Sequence, residues 1–287
     1  MTYDVEHTTR YEYSHAVSVS HHAARLRPRA LPRQACLAHE LHVDPAPAAI
    51  STRDDYFGNA MTIFVMGVAH SSLTVRARSR VAIAPAAVPD AAATPPWEAG
   101  RDHDLLPIEA IECLFESASI QTSVELAEYA RPSFAAGRPL LEAVLDLTGR
   151  IHGDFTFDPQ ATTVATPLSE VVRLRRGVCQ DFARLEIACL RSLGLAARYV
   201  SGYLETVPPP GAPRLAGADA SHAWIAVYCP GSGWIDVDPT NNLLPSTTHV
   251  TLAWGRDYSD VSPIRGVILG GGSHALHVSV DVIRVQP

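Results

Sequence analysis

The chain has 287 residues, 47% of them hydrophobic and 18% charged, with 23 basic side chains against 30 acidic ones and a formal charge of −7. That length holds one large domain or two ordinary ones around a substantial core. The balance is that of a globular protein, and without a dominant basic patch it gives no basis for electrostatic binding to nucleic acid or to an anionic membrane.

The opening MTYDVEHTTRYEYSH has no basic start followed by an apolar run, so no signal peptide is expected. No apolar stretch reaches the roughly 18 residues of a membrane span; the run Leu190–Val200 is interrupted by Arg191, Gly194 and Arg198. The five cysteines, Cys36, Cys113, Cys179, Cys189 and Cys229, are odd in number, irregularly spaced and without a CxxC pair. That argues against a disulfide framework or a zinc site and for a reduced, cytoplasmic setting.

In chain order, residues 1–85 read as an antiparallel β domain of sandwich type. Thr62–Val68 and Ser72–Ala84 are alternating and β-branched, and Asp44–Pro45, Asp54–Asp55 and Gly58–Asn59 punctuate the runs. Residues 86–103, rich in Ala and Pro, read as a linker or surface strap. From 104 to 287 a second domain of α+β type is expected. Leu105–Phe115, Val124–Tyr129 and Leu140–His152 carry helical spacing, and Thr166–Pro167 is a hydroxyl cap followed by first-turn proline for a helix to about Arg175. Cys179–Leu193 is the next helix, with Gly194 as its C-cap. Strands follow at Ala197–Leu204, Ala223–Cys229, Gly233–Val237 and His277–Val285, with a loop at 207–219 between the first two.

Cys179 opens its helix. A thiol there feels the positive end of the helix dipole and several free backbone N–H groups, which favour thiolate and can hold an oxyanion. Arg175 and Arg176 act in the same sense and Asp181 against it. Cys189, by contrast, lies on the apolar stripe Phe182, Leu185, Cys189, Leu193 and reads as packing. Alternation places His222, Trp224, Ala226 and Tyr228 on one strand face, and Trp234, Asp236 and Asp238 on one face of the next strand. A three-residue loop Cys229–Pro230–Gly231 sets Tyr228 opposite Ser232 and His222 opposite Asp238, about 5 Å apart; a slip of one residue would break that pairing. Nucleophile, base and orienting carboxylate are then in place for covalent catalysis.

The stretches GVCQDFARLEIACLRSLGLAARYVSGY, SHAWIAVYCPGSGW and DVDPTNN resemble bacterial transglutaminase-like cysteine proteases, a branch of the papain-like superfamily. RYEYSHAVSVSHHAARLRPR and DDYFGNAMTIF resemble the β-rich N-terminal region attached to that family, and FTFDPQATTVATPL and GRDYSDVSPIRG resemble segments flanking its catalytic core. The resemblance implies Cys179 as nucleophile, His222 as base and Asp238, rather than its rival Asp236, as the orienting group. It implies a papain-like core acting on peptide or protein amides by acyl transfer through a thioester, without metal or organic cofactor. The acceptor is water in a peptidase or amidase, the expectation for bacterial members, or an amine in a transamidase. A catalytically silent peptide-binding module and a scaffold working through the β domain are the readings from other classes.

Trp224 and Gln180 are further pocket candidates, each with core packing or surface hydrogen bonding as the plain alternative. Cys36, His39 and His42 diverge on a strand and cannot share one ion without a bulge, and His21 and His22 diverge in the same way. Residues 270–272, GGG, lack the context of a phosphate loop and read as a flexible loop. Arg256, Asp257, Tyr258 and Asp260 form a polar cluster expected either to brace the site or to be a solvated loop.

Overall fold

A computed structural model describes residues 1–87, 89–205 and 221–285. The N-terminal region is built on β1 (Thr2–Ala24), a strand of 23 residues. It is followed by β2 (Gln34–Asp44), β3 (Ala49–Asp54), β4 (Ala60–Met66) and β5 (His70–Ile83), all antiparallel to their neighbours. The strand order is β2-β5-β1-β4-β3. The register between β1 and β5 breaks between Glu12 and Val17, and the two halves of β1 have different neighbours. Side chains from both halves, among them Tyr13, Val17, Phe64, Leu73 and Val75, meet in one core. The expected sandwich is thus a single sheet whose two parts share β1.

The helical half begins irregularly. The helix expected at Leu105–Phe115 is reduced to α1 (Ile108–Ile111) between two 3-10 turns. Pro107 is the cause: inside a helix it removes an N–H donor and clashes with the preceding turn. α2 (Val124–Ala130), α3 (Leu140–Asp154) and α4 (Leu168–Leu174) lie close to expectation. Thr166 does not cap α4, because its Oγ1 accepts from the Thr163 N–H at 2.9 Å in the turn before. Residues 94–97 are strapped to the start of α3: Leu140 N–H donates to the Pro95 carbonyl and Leu141 N–H to Thr94 Oγ1.

Two residues each from β6 (Thr156–Phe157) and β7 (Arg176–Gly177) form a short parallel pair beneath the start of α5 (Cys179–Ser192). The second sheet holds β8 (Ala197–Leu204), β9 (Ser221–Cys229), β10 (Gly233–Val237) and β11 (His249–Gly255), in the order β10-β9-β8-β11. α5 covers one face: Phe182, Leu185 and Leu190 share a core with Tyr199, Ala223, Ile225 and Val227. The other face carries Val200, Trp224 and Ala226 under Trp234 and Trp254. The architecture is α+β with antiparallel sheets.

After α6 (Tyr258–Val261) the chain returns to the first sheet. β12 (Ile264–Gly270) pairs with Val17–Ala24 and β13 (His274–Arg284) with Tyr3–Tyr13, both along β1. Residues 264–284, assigned with 104–287 from the sequence, therefore share a sheet with residues 1–85. Tyr3, Val5, Val81, Ile83, Val280 and Val282 also join the core formed around α3 and α5. The glycines at 270–272, expected as a loose loop, are the turn between β12 and β13, with φ of 93, 85 and 63° that only glycine adopts at low cost. Among the described residues no helix is long and apolar enough to cross a membrane.

Candidate active site

Three local devices fix the start of α5. The Val178 backbone N–H donates to Asp181 Oδ2 at 3.0 Å, satisfying one of the donors that a helix start leaves free. Thr162 donates to the same oxygen at 2.6 Å, and Arg184 lies 3.7 Å from the other. Gly177 permits the approach, since a Cβ there would lie 2.7 Å from Asp181 Oδ2. The buried Asp181 carboxylate is thus engaged by the helix cap and by Arg184. The N–H groups of the first turn, at Cys179 and Gln180, have no intrahelical acceptor.

The Cys179 thiol is partly exposed, whereas Cys113, Cys189 and Cys229 are buried and Cys36 lies on the β region. Burial pushes all four of those thiols up, Cys113 to about 11. His222, at the start of β9, is 8% exposed, and its Nε2–H donates to Asp238 Oδ2 at 2.7 Å. The ring is also hydrogen-bonded to Cys179. With Nε2 committed to Asp238, Nδ1 is the atom left to face the thiol. Burial opposes charge on His222, but the hydrogen bonds and negative charges of Asp238 and Cys179 outweigh it and raise the imidazole to about 10. Asp238 is fully buried, yet its hydrogen bonds from His222 and His249, the charge of His222 and the Asn241 amide hold it below the usual carboxylate range.

The hairpin that brings His222 and Asp238 together differs in register from expectation. The loop is Pro230–Gly231–Ser232, with Gly233 opposite Cys229 and Trp234 opposite Tyr228. The pairing is shifted by two residues, so Asp238 lies diagonal to His222 and just past the end of β10. A shift of two preserves the face and a shift of one does not, which is why the contact survives. Asp236 shares that face but is held by Arg33 Nη2 at 3.3 Å, away from His222. Asp238 N–H donates to the Leu243 carbonyl, and the Asp238 side chain caps the following turn through the Thr240 and Asn241 N–H groups at 2.9 and 3.2 Å.

Sequence reasoning missed two contacts of Asp238. Asn241 Nδ2 donates to Oδ2 at 2.7 Å, and His249 Nε2 donates to the same oxygen at 3.1 Å. The signal in the sequence that could have found His249 is the β-branched and apolar strand character of HVTLAWG. Trp224 stacks beside His222, ring centroids 6.0 Å apart, and is fully buried. It packs against His222 rather than forming a wall of an open cleft. Gln180 is partly exposed beside Cys179. The 207–219 segment, expected next to His222, lies outside the described residues.

The other candidates fall elsewhere. In β2 the register shifts between Cys36 and Ala38, the kind of bulge that ligand sharing would need. Cys36 nevertheless donates to the Ala38 carbonyl and His39 Nδ1 meets Ser79 Oγ at 2.9 Å. His22 is buried against Phe64 while His21 is exposed. Asp257 caps α6, Arg256 pairs with Asp260 at 2.9 Å, and the Arg256 carbonyl accepts from the buried Arg191 of α5. That cluster fastens the exit of β11 to the far end of the cysteine helix.

One buried acid on α5 has no place in the expectation. Glu186 is fully buried with Oε1 2.7 Å from Thr148 Oγ1, whose hydroxyl also lies 2.8 Å from the Val144 carbonyl. One hydroxyl proton cannot serve two acceptors, so the arrangement is satisfied when Glu186 is protonated and donates to Thr148. Burial raises its carboxyl to about 8. The folded state therefore holds a proton that the unfolded chain releases near 4.5, and stability falls as pH rises between those values. Glu186→Gln is expected to gain stability over the wild type between pH 5 and pH 9, by about 1.4 kcal/mol for each unit separating the two pKa values. Urea unfolding at the two pH values measures it, and a constant difference would rule out a buried neutral acid.

An α+β core with a helix-start cysteine hydrogen-bonded to a histidine, itself held by a buried aspartate, defines a transglutaminase-like fold. Comparison with known proteins agrees. Residues 3–82 match the bacterial transglutaminase-like N-terminal region and residues 127–239 the transglutaminase-like superfamily. An uncharacterized protein of Mycobacterium tuberculosis is 44% identical over 99% of this chain and 93% of its own length, and one of Mycobacterium leprae is 30% identical over 98% of each. A protein-glutamine gamma-glutamyltransferase of Pseudomonas aeruginosa is 31% identical over 42% of this chain and 18% of its own length. The crystal structure of a candidate cysteine protease from Cytophaga hutchinsonii superposes with a TM-score of 0.77 at 22% identity, over 100% of this chain and 92% of that one. The chain belongs to the transglutaminase-like superfamily and carries its bacterial N-terminal region.

Proposed function

We propose that the protein is a thiol-dependent acyl-transfer enzyme acting on peptide or protein amides, with Cys179 as nucleophile, His222 as general base and acid, and Asp238 as the group that orients His222. The observation that carries this reading is the placement of His222 between the Cys179 thiol and the buried Asp238 carboxylate. Membership of the superfamily supports an enzyme with such substrates.

The proton of the Cys179 thiol passes to His222 Nδ1, and the thiolate attacks the amide carbonyl carbon. The first-turn N–H groups of α5 hold the oxyanion. As the C–N bond breaks, imidazolium returns the proton to the departing amine and a thioester remains. The acceptor, water or an amine, gives its proton to His222 as it attacks, and the thiolate is restored. No step calls on a metal or an organic cofactor. Hydrolysis is the favoured outcome, making this a cysteine peptidase or amidase, and the β region with β12 and β13 would be the platform for the core. With five unpaired cysteines, the setting we propose is the reducing cytoplasm.

Iodoacetamide labelling across pH, with the modified residue located by peptide mass spectrometry, tests the chemistry. Cys179 is expected to react at pH 6, where Cys36, Cys113, Cys189 and Cys229 do not, and His222→Ala is expected to abolish that preference. Equal labelling of Cys36 and Cys179 in the wild type would return the protein to the silent binding-module reading. Release of 4-nitrophenol from an activated ester, with and without a primary amine, separates the two acceptors: a rate and product indifferent to the amine mean hydrolysis.

A further inference from the structure

Asp238 Oδ2 receives more than a base-orienting carboxylate requires. Among the described residues it accepts from His222 Nε2 at 2.7 Å, Asn241 Nδ2 at 2.7 Å and His249 Nε2 at 3.1 Å. Asn241 belongs to the turn that Asp238 itself caps. His249 comes from β11, on the far side of β8 from β9. It is 1% exposed, its Nδ1 lies 3.1 Å from Thr248 Oγ1, and its ring meets Trp224 edge-on at 5.2 Å and His222 at 5.8 Å. An ionised carboxylate only accepts, so Nε2 carries the hydrogen and donates to Oδ2, and the Thr248 hydroxyl beside Nδ1 can donate to that nitrogen.

We propose that His249 is a positioning residue: it holds the Asp238 carboxylate in the orientation that presents Oδ2 to His222 and thereby sets the reactivity of Cys179. The inference rests on the acyl-transfer reading above. A carboxylate at the end of a strand is free to rotate about its Cα–Cβ and Cβ–Cγ bonds. Donors on Oδ1 restrain one oxygen, and Asn241 restrains the other only as far as its own turn is held. His249 ties Oδ2 to a separate strand, so the carboxylate is located relative to the sheet that carries His222. The donor also stabilises the ionised form, in keeping with an Asp238 carboxyl held below the usual carboxylate range. His222, Asp238 and His249 together present three ligand atoms within 4.8 Å of one another. The separations of 2.7 and 3.1 Å about the shared oxygen are those of N–H···O hydrogen bonds.

The test uses the full chain and iodoacetamide as the probe. His249→Phe keeps a ring against Trp224 and removes the donor; His249→Gln keeps an N–H where Nε2 stands. His249→Phe is expected to slow Cys179 labelling at pH 6 about tenfold, the weight of one hydrogen bond to a charged acceptor, and to move the acid limb of the labelling profile towards neutral pH. His249→Gln is expected to recover most of the rate at the same melting temperature. Four results are distinguishable. A depressed profile in Phe with recovery in Gln supports the role. An unchanged profile in His249→Phe, with labelling lost in His222→Ala, overturns this inference and leaves the acyl-transfer reading intact. An unreactive Cys179 in the wild type overturns both. Wild-type labelling that EDTA alters and Zn²⁺ restores makes His249 a ligand and overturns the positioning role.

Discussion

Replacing Asp238 with asparagine is expected to lower ester turnover by roughly 10³–10⁴-fold, the scale seen when an orienting carboxylate becomes an amide. Three donors, from His222, Asn241 and His249, converge on Oδ2. If an amide nitrogen takes that position, N–H faces N–H at each contact. The cheapest escape is for His222 to shift its hydrogen from Nε2 to Nδ1 and accept from the new amide. Nδ1 then points a hydrogen at Cys179 and cannot take the thiol proton. The loss should fall on the chemical step, so kcat drops while KM changes little. Rotation of the amide to place its oxygen at the Oδ2 position would put N–H against the Thr240 and Asn241 N–H groups instead, so neither orientation is satisfied.

The same variant reports on the imidazolium. His222 is raised to about 10 in the fold from an ordinary 6.5. A histidine with a raised folded pKa adds stability that is fully present below 6.5 and disappears as pH rises through the folded value. Asp238 shifts the opposite way: its contribution is present above the ordinary carboxylate value and is lost only as pH falls below it. Because the proton that makes His222 a cation comes from the Cys179 thiol, the pair holds more protons than the unfolded chain only above the free-thiol value, so the wild type should lose stability relative to Asp238→Asn chiefly between about pH 8.5 and 10. Thermal melts at pH 6, 8 and 10 measure the gap. A gap that stays constant would mean that His222 is not held as the cation.

The grouping of Cys179, His222 and Asp238 was legible because its signals are local. A cysteine after Gly177–Val178 opens α5 by helix-start physics, and strand alternation puts His222 and Asp238 on one face whatever the loop length, provided the error is even. The register itself was not legible, since Cys229, Pro230, Gly231 and Ser232 offer two three-residue loops and only packing chooses between them. β1 hid its length for a related reason. Its 23 residues serve four partner strands, and nothing in the local pattern of Thr2–Ala24 shows that β12 and β13 return from 240 or more residues away to complete the sheet. The strand character of HVTLAWG is local, but the contact of His249 with Asp238 spans β8 and β9, a relation that no spacing in the sequence records.

That crossing explains a glycine, and the glycine gives the second large effect. Gly202 of β8 pairs with His222 on one side and Thr251 on the other. A Cβ there would lie 2.4 Å from Trp224 Cη2 and 2.1 Å from the Val250 carbonyl oxygen. The bare backbone is what lets the Trp224 indole pass over β8 to reach His249. Gly202→Ala must push the indole or β11 away. Neither has room: Trp224 and Val250 are both fully buried, and close-packed cores resist added volume. A loss of about 3 kcal/mol is expected, seen as a fall in Tm of roughly 6–12 °C. The functional consequence is separable from the structural one. If β11 moves, His249 leaves Asp238, and Cys179 labelling in the still-folded fraction at 10 °C should resemble that of His249→Phe. If only the indole moves, stability falls while the labelling profile stays wild type. A variant with unchanged Tm would mean that the strands part easily at Gly202, and the tight crossing would no longer account for the geometry around Asp238.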